Sequence, residues 1–332
     1  MKEKSYIVIG GGTGTFSVLS GLKKYTDNIC AVVSMADSGG SAKKERDEWG
    51  LLPSSDIRKS LLALADVSAS DSLILRKLFQ YRFAKGVGVS GMTFGNLFLV
   101  ALANIVKSQK KAIELASELL RIRGRVLPVS LDHVDLVAEY MDSSKVIGEH
   151  NIDEPEHNGR IRIKKLYTNP KAKIDPHTRE AINGADIIVI GPGGFYTTVI
   201  ANLVVDGVVE AINQSAAIKV FIMNLMTEYG QTFGFTARDF VLEIGKYLDL
   251  RNLDYILVNR TPIPEKILKR YIQSKASPVV NDLSGSWPFK VVSLDLLSST
   301  VVKKEKGDTL RRSLVRHDPE AIARFCLKNL TK

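Results

Sequence analysis

Apolar positions in this chain follow two rhythms. Short unbroken runs such as Tyr6-Ile7-Val8-Ile9, Cys30-Ala31-Val32-Val33 and Ile187-Ile188-Val189-Ile190 alternate with stretches where apolar residues return every three or four positions. Runs without polar alternation predict strands buried on both faces, the mark of a parallel sheet, and the longer spacing predicts amphipathic helices. Strands are expected at 5–9 and 30–35 around a helix over 16–25, a unit that starts a doubly wound fold. The charged stretch 40–50 reads as an exposed loop. Helical spacing then runs through 55–66, 71–81, 93–107 and 110–122, broken by Gly86-Val87-Gly88-Val89-Ser90-Gly91. Strands at 125–129, 134–140 and 160–167 are expected to form a smaller sheet, an excursion within 124–180. Parallel grammar returns with strands at 186–190, 218–224 and 254–258 and helices at 197–213, 236–247 and 264–274. Short strands near 278–280 and 290–294 and a closing helix from Pro319 to Leu330 complete the pattern. The expected fold class is α/β: a Rossmann-like, mostly parallel sheet with helices on both faces, plus a helical segment and a small additional sheet, in one domain over 1–332.

Two of the buried runs end in glycine. Gly10-Gly11-Gly12-Thr13-Gly14 follows the first strand, and Gly191-Pro192-Gly193-Gly194 follows the run at 187–190. At the carboxyl edge of a parallel sheet, such turns bring backbone N–H groups and helix N-termini close to an anion. Two of them predict a cleft for a phosphorylated ligand. The first departs from the dinucleotide fingerprint because Thr15 stands where the third glycine would be, and it lacks the lysine of a P-loop. Thr13 adds a hydroxyl to the first turn. Tyr196 and Thr197 fall in the helical turn after the second.

Other candidates lie between the turns. Asp37, at the end of the second strand, either binds a ribose hydroxyl or caps the next element. The neighbouring residue is Ser38, not a second carboxylate, so no metal site is predicted there. Ser54 and Ser55 are N-cap candidates for a helix that carries Arg58 one turn in, placed either for capping geometry alone or to grip phosphate. In Phe94-Gly95-Asn96, the helix-interior Gly95 costs roughly 1 kcal/mol relative to Ala, which marks close packing or close approach of a ligand. Asn96 is then a ligand contact or a partner for nearby backbone. Arg316, before the Asp318-Pro319 helix start, is a surface charge or reaches a phosphate.

Composition narrows the function classes. The formal net charge of +10 permits anionic partners. No run interleaves aromatic with basic residues, so the charge reads as a solvated surface and a small-anion site, without nucleic acid. The densest basic cluster is Lys303, Lys304, Lys306, Arg311, Arg312 and Arg316. No apolar run reaches the roughly 18 residues of a membrane span. The first strand follows Met1-Lys2-Glu3-Lys4 almost directly, so no signal peptide is expected. The two cysteines, Cys30 and Cys326, lack metal-ligand spacing, and a reducing cytoplasm is the expected setting. His133, His150, His157 and His177 show no spacing for a metal or a triad. The helical segment 55–122 either supplies a homodimer surface or covers the sheet within the chain.

Taken together, Gly10 to Gly14, Ala36-Asp37-Ser38-Gly39-Gly40-Ser41, Leu52-Pro53-Ser54-Ser55-Asp56-Ile57-Arg58, Phe94-Gly95-Asn96-Leu97, Gly191 to Thr197 and Arg316-His317-Asp318-Pro319 resemble, in order, the motifs of bacterial gluconeogenesis factors. These belong to the CofD-like superfamily, with 2-phospho-L-lactate transferase. The resemblance runs nearly end to end. It implies a cytoplasmic protein that binds a nucleotide, a UDP-sugar foremost with GDP or NAD as alternatives, and acts in cell shape and envelope maintenance during gluconeogenic growth without classical turnover. The second implied reading is a transferase of phosphorus-containing groups; a third reading, an NAD-dependent oxidoreductase, rests on the first strand–helix–strand unit and Asp37 and is opposed by Thr15. Carried over by position, the ligand contacts are Gly11, Gly12, Thr13, Asp37, Asn96, Gly193, Tyr196 and Arg316. Gly14, Ser38, Arg58, Gly194 and Thr197 join them on the residue-level reading. The chain departs from the family pattern at Ser38, where a second carboxylate is usual, and at Met92, where a histidine is common. Both departures count against Mg²⁺-assisted transfer more than against nucleotide binding.

Overall fold

The computed structural model describes residues 3–66, 70–299 and 313–330. Five of the basic-cluster residues, Lys303, Lys304, Lys306, Arg311 and Arg312, lie outside the described residues. The first half contains β1 (Tyr6–Gly10), α1 (Gly12–Leu22), β2 (Ile29–Val33), α2 (Gly40–Trp49), α3 (Ser55–Leu64), α4 (Ser70–Gln80), α5 (Phe94–Val106), α6 (Gln109–Leu119) and β3 (Arg125–Pro128). Then come β4 (Asp135–Tyr140), β5 (Lys145–Ile147), α7 (Glu149–Asp153), β6 (Ile163–Asn169), α8 (Pro176–Asn183) and β7 (Ile187–Ile190). A π-helical segment, Phe195–Ile200, leads into α9 (Ala201–Leu203) and α10 (Val208–Gln214). The remainder is β8 (Ile218–Ile222), α11 (Ala237–Ile244), β9 (Tyr255–Asn259), α12 (Glu265–Gln273), β10 (Lys290–Leu294) and α13 (Pro319–Lys328).

Seven strands form one sheet in the order β10-β9-β8-β7-β1-β2-β3, and every neighbouring pair is parallel. The central strands are apolar throughout because both faces are covered. Alternate residues feed two separate cores. Ile7, Ile9, Ile188 and Ile190 enter one, with the π-helical segment, α10, α11 and the small sheet. Tyr6, Val8, Ile187 and Val189 enter the other, with α1, α3, α6 and α13. The small sheet is antiparallel, ordered β5-β4-β6. Residues of α3, α5 and α6 lie in the second core, so the helical segment covers the sheet within the chain.

The fold class is the expected one, and five local expectations need correction. Residues Gly40–Trp49 form a helix, α2, closed by Gly50 in the left-handed conformation (φ 63°); its charged composition hid two fully buried residues, Ala42 and Glu45. The strand at 125–128 is the edge of the main sheet, paired with β2, and not part of the small one. The helix expected over 197–213 is a π-helical segment running straight into α9, then α10, which starts afresh after Gly207 takes φ 89°. Near 278–280 there is an isolated bridge, Met226 to Pro278, instead of a strand. The first helix also begins at Gly12, four residues earlier than its apolar face suggests, which makes the glycine turn its N-terminus.

Candidate ligand-binding cleft

Strands β1 and β7 are hydrogen-bonded neighbours, Tyr6 opposite Ile187. The two glycine turns therefore leave the sheet side by side. Their contact is intimate: a Cβ on Gly14 would lie 2.4 Å from the Pro192 carbonyl oxygen, and one on Gly193 would lie 3.0 Å from the Gly11 carbonyl oxygen. Thr15 Oγ1 donates to the Pro192 carbonyl at 3.3 Å, and Asn202 Nδ2 donates to that of Gly10 at 3.3 Å. After the second turn the backbone widens into π-helical geometry, with both Thr198 N–H (2.8 Å) and Val199 N–H (3.0 Å) donating to the Gly194 carbonyl. Such π segments recur at functional sites.

Three adjoining cavities open at this edge. A small one of about 100 Å³ is bounded by Thr13, Gly14, Gly193, Gly194, Arg316 and His317 among others. It shares Thr13, Gly194, Glu228 and Ser313 with a larger, strongly charged cavity of about 430 Å³. Across Asn224 and Leu225 it adjoins a third of about 330 Å³, walled by Val258, Pro262, Ile263, Leu268 and Val279. The predicted convergence of the two turns on one cleft is what the fold delivers.

The candidate residues divide by position. Gly12, Thr13, Asp37, Arg58, Gly194 and Thr197 border the large cavity, while Gly14, Gly193 and Arg316 border the small one. Gly11 lies behind this lining, where a Cβ would fall 2.1 Å from Asp56 Oδ2. Ser38 Oγ accepts from the His150 N–H at 3.0 Å and so ties the start of α7 to the loop after β2. Asp37 accepts from the Gly39 N–H at 2.9 Å, the local turn that Asp favours. Four expected contacts, Gly11, Ser38, Asn96 and Tyr196, line none of the three cavities. Asn96 is fully buried beneath Arg58, and Tyr196 is fully buried in the first core, where its ring packs on Phe195 at 5.2 Å. Burial, then Glu243 nearby, holds the Tyr196 phenol well above its ordinary range.

Several cleft residues carried no sequence signal. Lys44, Lys59, Arg82, Glu149, His150 and Asp153 all reach the large cavity. Lys59 pairs with Asp56 at 2.8 Å, and Lys44 donates to the Gly88 carbonyl at 2.6 Å. Asp153 accepts from Gln231 Nε2 at 2.8 Å. Burial pushes the Glu149 carboxyl well above its ordinary value, with Asp37, Asp153 and Asp56 adding to the effect and Lys59 opposing it. A carboxyl so held keeps its proton more readily than a free one, as groups used for proton transfer often do. Among the described residues, no group of three or more His, Cys, Asp or Glu side chains could hold a metal ion. His317 anchors the small cavity. Its Nε2 lies 2.9 Å from the Met223 carbonyl, and burial lowers its pKa from 6.5 to about 4, so the ring is neutral and donates there.

Residues 6–297 match the family described as 2-phospho-L-lactate transferase CofD. The chain is 39% identical over 314 residues to a gluconeogenesis factor of Halalkalibacterium halodurans, covering 94% of each chain. It belongs to the gluconeogenesis factor family of the CofD-like superfamily. A gluconeogenesis factor of Bacillus subtilis is 37% identical over 326 residues, 97% of each chain. A putative gluconeogenesis factor of Nostoc is 39% identical over 97% of this chain and 68% of its own length. A crystal structure of a UPF0052 family member from Bacillus halodurans superposes with a TM-score of 0.87 at 36% identity, over 99% of this chain and all of that one. Gluconeogenesis factors thus match nearly the full length of this chain, and the UPF0052 family member shares its fold. Among the described residues, no helix is long and apolar enough to cross a membrane.

Proposed function

We propose that the cleft binds a nucleotide sugar, a UDP-sugar foremost, and that the protein acts through this binding in envelope and cell-shape maintenance during gluconeogenic growth. The observation that carries this reading is the small cavity, where two glycine-rich turns and Arg316 face one another. Its amides and guanidinium suit a diphosphate. The 330 Å³ cavity beside it sets apolar Ile263, Leu268 and Val279 beside polar Asn259 and Arg260, a mixture that suits a planar base with polar edges, and the charged 430 Å³ cavity suits a sugar. The role in growth rests on family membership.

A panel of UDP-sugars, UDP, GDP and NAD, each with and without Mg²⁺, followed by thermal shift, tests the reading. A nucleotide at 100 times its dissociation constant is expected to stabilise the fold by about 2.7 kcal/mol. Arg316→Ala is expected to weaken UDP at least tenfold, the loss of about 1.5–3 kcal/mol for hydrogen bonds to a charged group, with the melting temperature of the unliganded protein preserved. Unchanged affinity removes Arg316 from the site.

One observation favours a second reading. The large cavity holds Asp37, Glu149 and His150 beside the glycine turns and has room for a second substrate. That arrangement supports transfer of a phosphorus-containing group from a nucleotide donor. Mg²⁺-dependent release of a nucleotide monophosphate from a bound donor would establish it over binding alone.

A further inference from the structure

Arg58 is brought to the large cavity by an arrangement that spans three sequence-distant segments. Its stem crosses α5 at Gly95. A Cβ there would meet Arg58 Cδ at 2.7 Å and the Phe79 carbonyl oxygen at 2.8 Å, so the helix-interior glycine makes room for the arginine. Arg58 Nε donates to Asn96 Oδ1 at 2.7 Å. Asn96 Nδ2 in turn donates to Glu45 Oε1 at 2.7 Å, and Glu45 Oε2 accepts both the Ser54 N–H at 2.9 Å and the Ser54 hydroxyl at 2.6 Å. Arg58, Asn96 and Glu45 are each buried, at 8%, 0% and 0% exposure.

The direction of this chain follows from the chemistry of its ends. A carboxylate only accepts, and a guanidinium only donates. An amide set between them has one orientation that satisfies both, with nitrogen toward Glu45 and oxygen toward Arg58. We propose that Glu45 and Asn96 are positioning residues that aim Arg58 into the cavity, Glu45 by fixing which end of the Asn96 amide faces the guanidinium. Arg58 then presents a preset cation to the phosphoryl groups of the ligand. The assignment of that ligand rests on the nucleotide reading above; the relay itself does not. It explains why Phe94-Gly95-Asn96 and the Ser54-to-Arg58 segment occur together with a buried acid on α2.

The test uses paired substitutions at pH 8, where Glu45 is ionised. Glu45→Gln keeps the size of the side chain and its acceptor toward Ser54, but turns an amide nitrogen toward Asn96. Whichever way the Asn96 amide then turns, one donor faces another donor. Adding Asn96→Asp restores an acceptor toward both neighbours. Two readouts follow. The first is affinity for UDP against uridine, which isolates the phosphoryl-dependent part. The second is the Nε–H resonance of Arg58, assigned by its loss in Arg58→Lys, with its protection from solvent exchange.

Glu45→Gln is expected to weaken UDP at least tenfold with uridine within about twofold, and to expose the Arg58 Nε–H to exchange. The double variant is expected to recover UDP affinity to within about threefold of the native protein and to restore protection. A thermal melt of each variant separates this from a general loss of structure: a merely structural role for Glu45 would weaken UDP and uridine together, whereas the relay predicts loss confined to the phosphoryl-dependent part in a variant that still melts cooperatively. If the Nε–H stays protected in Glu45→Gln, or the double variant is no better than the single one, the relay is wrong. A native protein that binds no UDP overturns the nucleotide reading instead, and the resonance still decides the relay.

Discussion

Gly14→Val is expected to lower the stability of the fold by about 3 kcal/mol and to abolish nucleotide-dependent stabilisation. The first side-chain carbon would lie 2.4 Å from the Pro192 carbonyl oxygen, 2.6 Å from its carbon and 3.0 Å from the Gly193 nitrogen. All three are backbone atoms, held where β7 leaves the sheet, and none can rotate aside. Overpacking of this kind costs about 1–3 kcal/mol for added methylenes, and valine carries two methyls beyond the clashing carbon. The same displacement would push Gly193 out of the small cavity. Gly12→Ala provides the contrast. Gly12 has φ +66° with nothing within 4 Å of its would-be side chain, so alanine there meets only backbone strain, about 1–2 kcal/mol. Urea denaturation of both variants, with and without UDP, measures the difference. A Gly14→Val protein as stable as the native one would mean that the two turns do not touch.

Two buried titratable groups are expected to cancel one another in the pH dependence of stability. His317, lowered to about 4, binds fewer protons folded than unfolded between about pH 4 and 6.5. Stability from this group therefore rises with pH across that window and is lost on acidification, by about 3 kcal/mol. Glu45 does the reverse. Burial raises it from 4.5 to about 7 against the opposing hydrogen bonds from Ser54 and Asn96, so it binds more protons in the folded state. Its contribution is full below about pH 4.5 and falls by about 3 kcal/mol as pH rises to 7. Between pH 4.5 and 6.5 the two slopes oppose. Relative to the native protein, Glu45→Gln should gain stability steadily with pH, and His317→Gln should lose it over the same range. Denaturant titrations at half-unit pH steps give both difference curves. Two flat curves would show that neither group titrates in the buried setting described.

The sheet could be read from the chain because its signal is local. Four apolar residues in succession, as at Ile187–Ile190, leave little choice but a strand covered on both faces, and glycine at its end leaves little choice but a turn at the carboxyl edge. The pairing of β1 with β7 is not legible in the sequence; the glycines that end both strands point only to a shared cleft. What escaped was decided by long-range contacts. Helix α2 is so polar that its sequence looks like a loop, and its one buried carboxylate finds its partners, Ser54 and Asn96, 9 and 51 residues on. Asn96 and Tyr196 sit in motifs that border the cleft, yet their side chains turn into packed interior, because helical geometry sends neighbouring positions to different faces. Glu149, His150 and Asp153 reach the cavity on α7, a five-residue helix too short to leave a periodic pattern.

The order of strands has a consequence for synthesis on the ribosome. Tyr6 waits for Ile187, so one edge of the first strand stays open until more than half of the polypeptide has been made. At about 5–20 residues per second that interval is roughly 10–40 s. Throughout it, an apolar strand with unpaired amides is available to any other nascent or extended chain. Assembly of the cleft is therefore a late event in biogenesis, and truncated products ending before residue 187 would carry the first glycine turn without its counterpart.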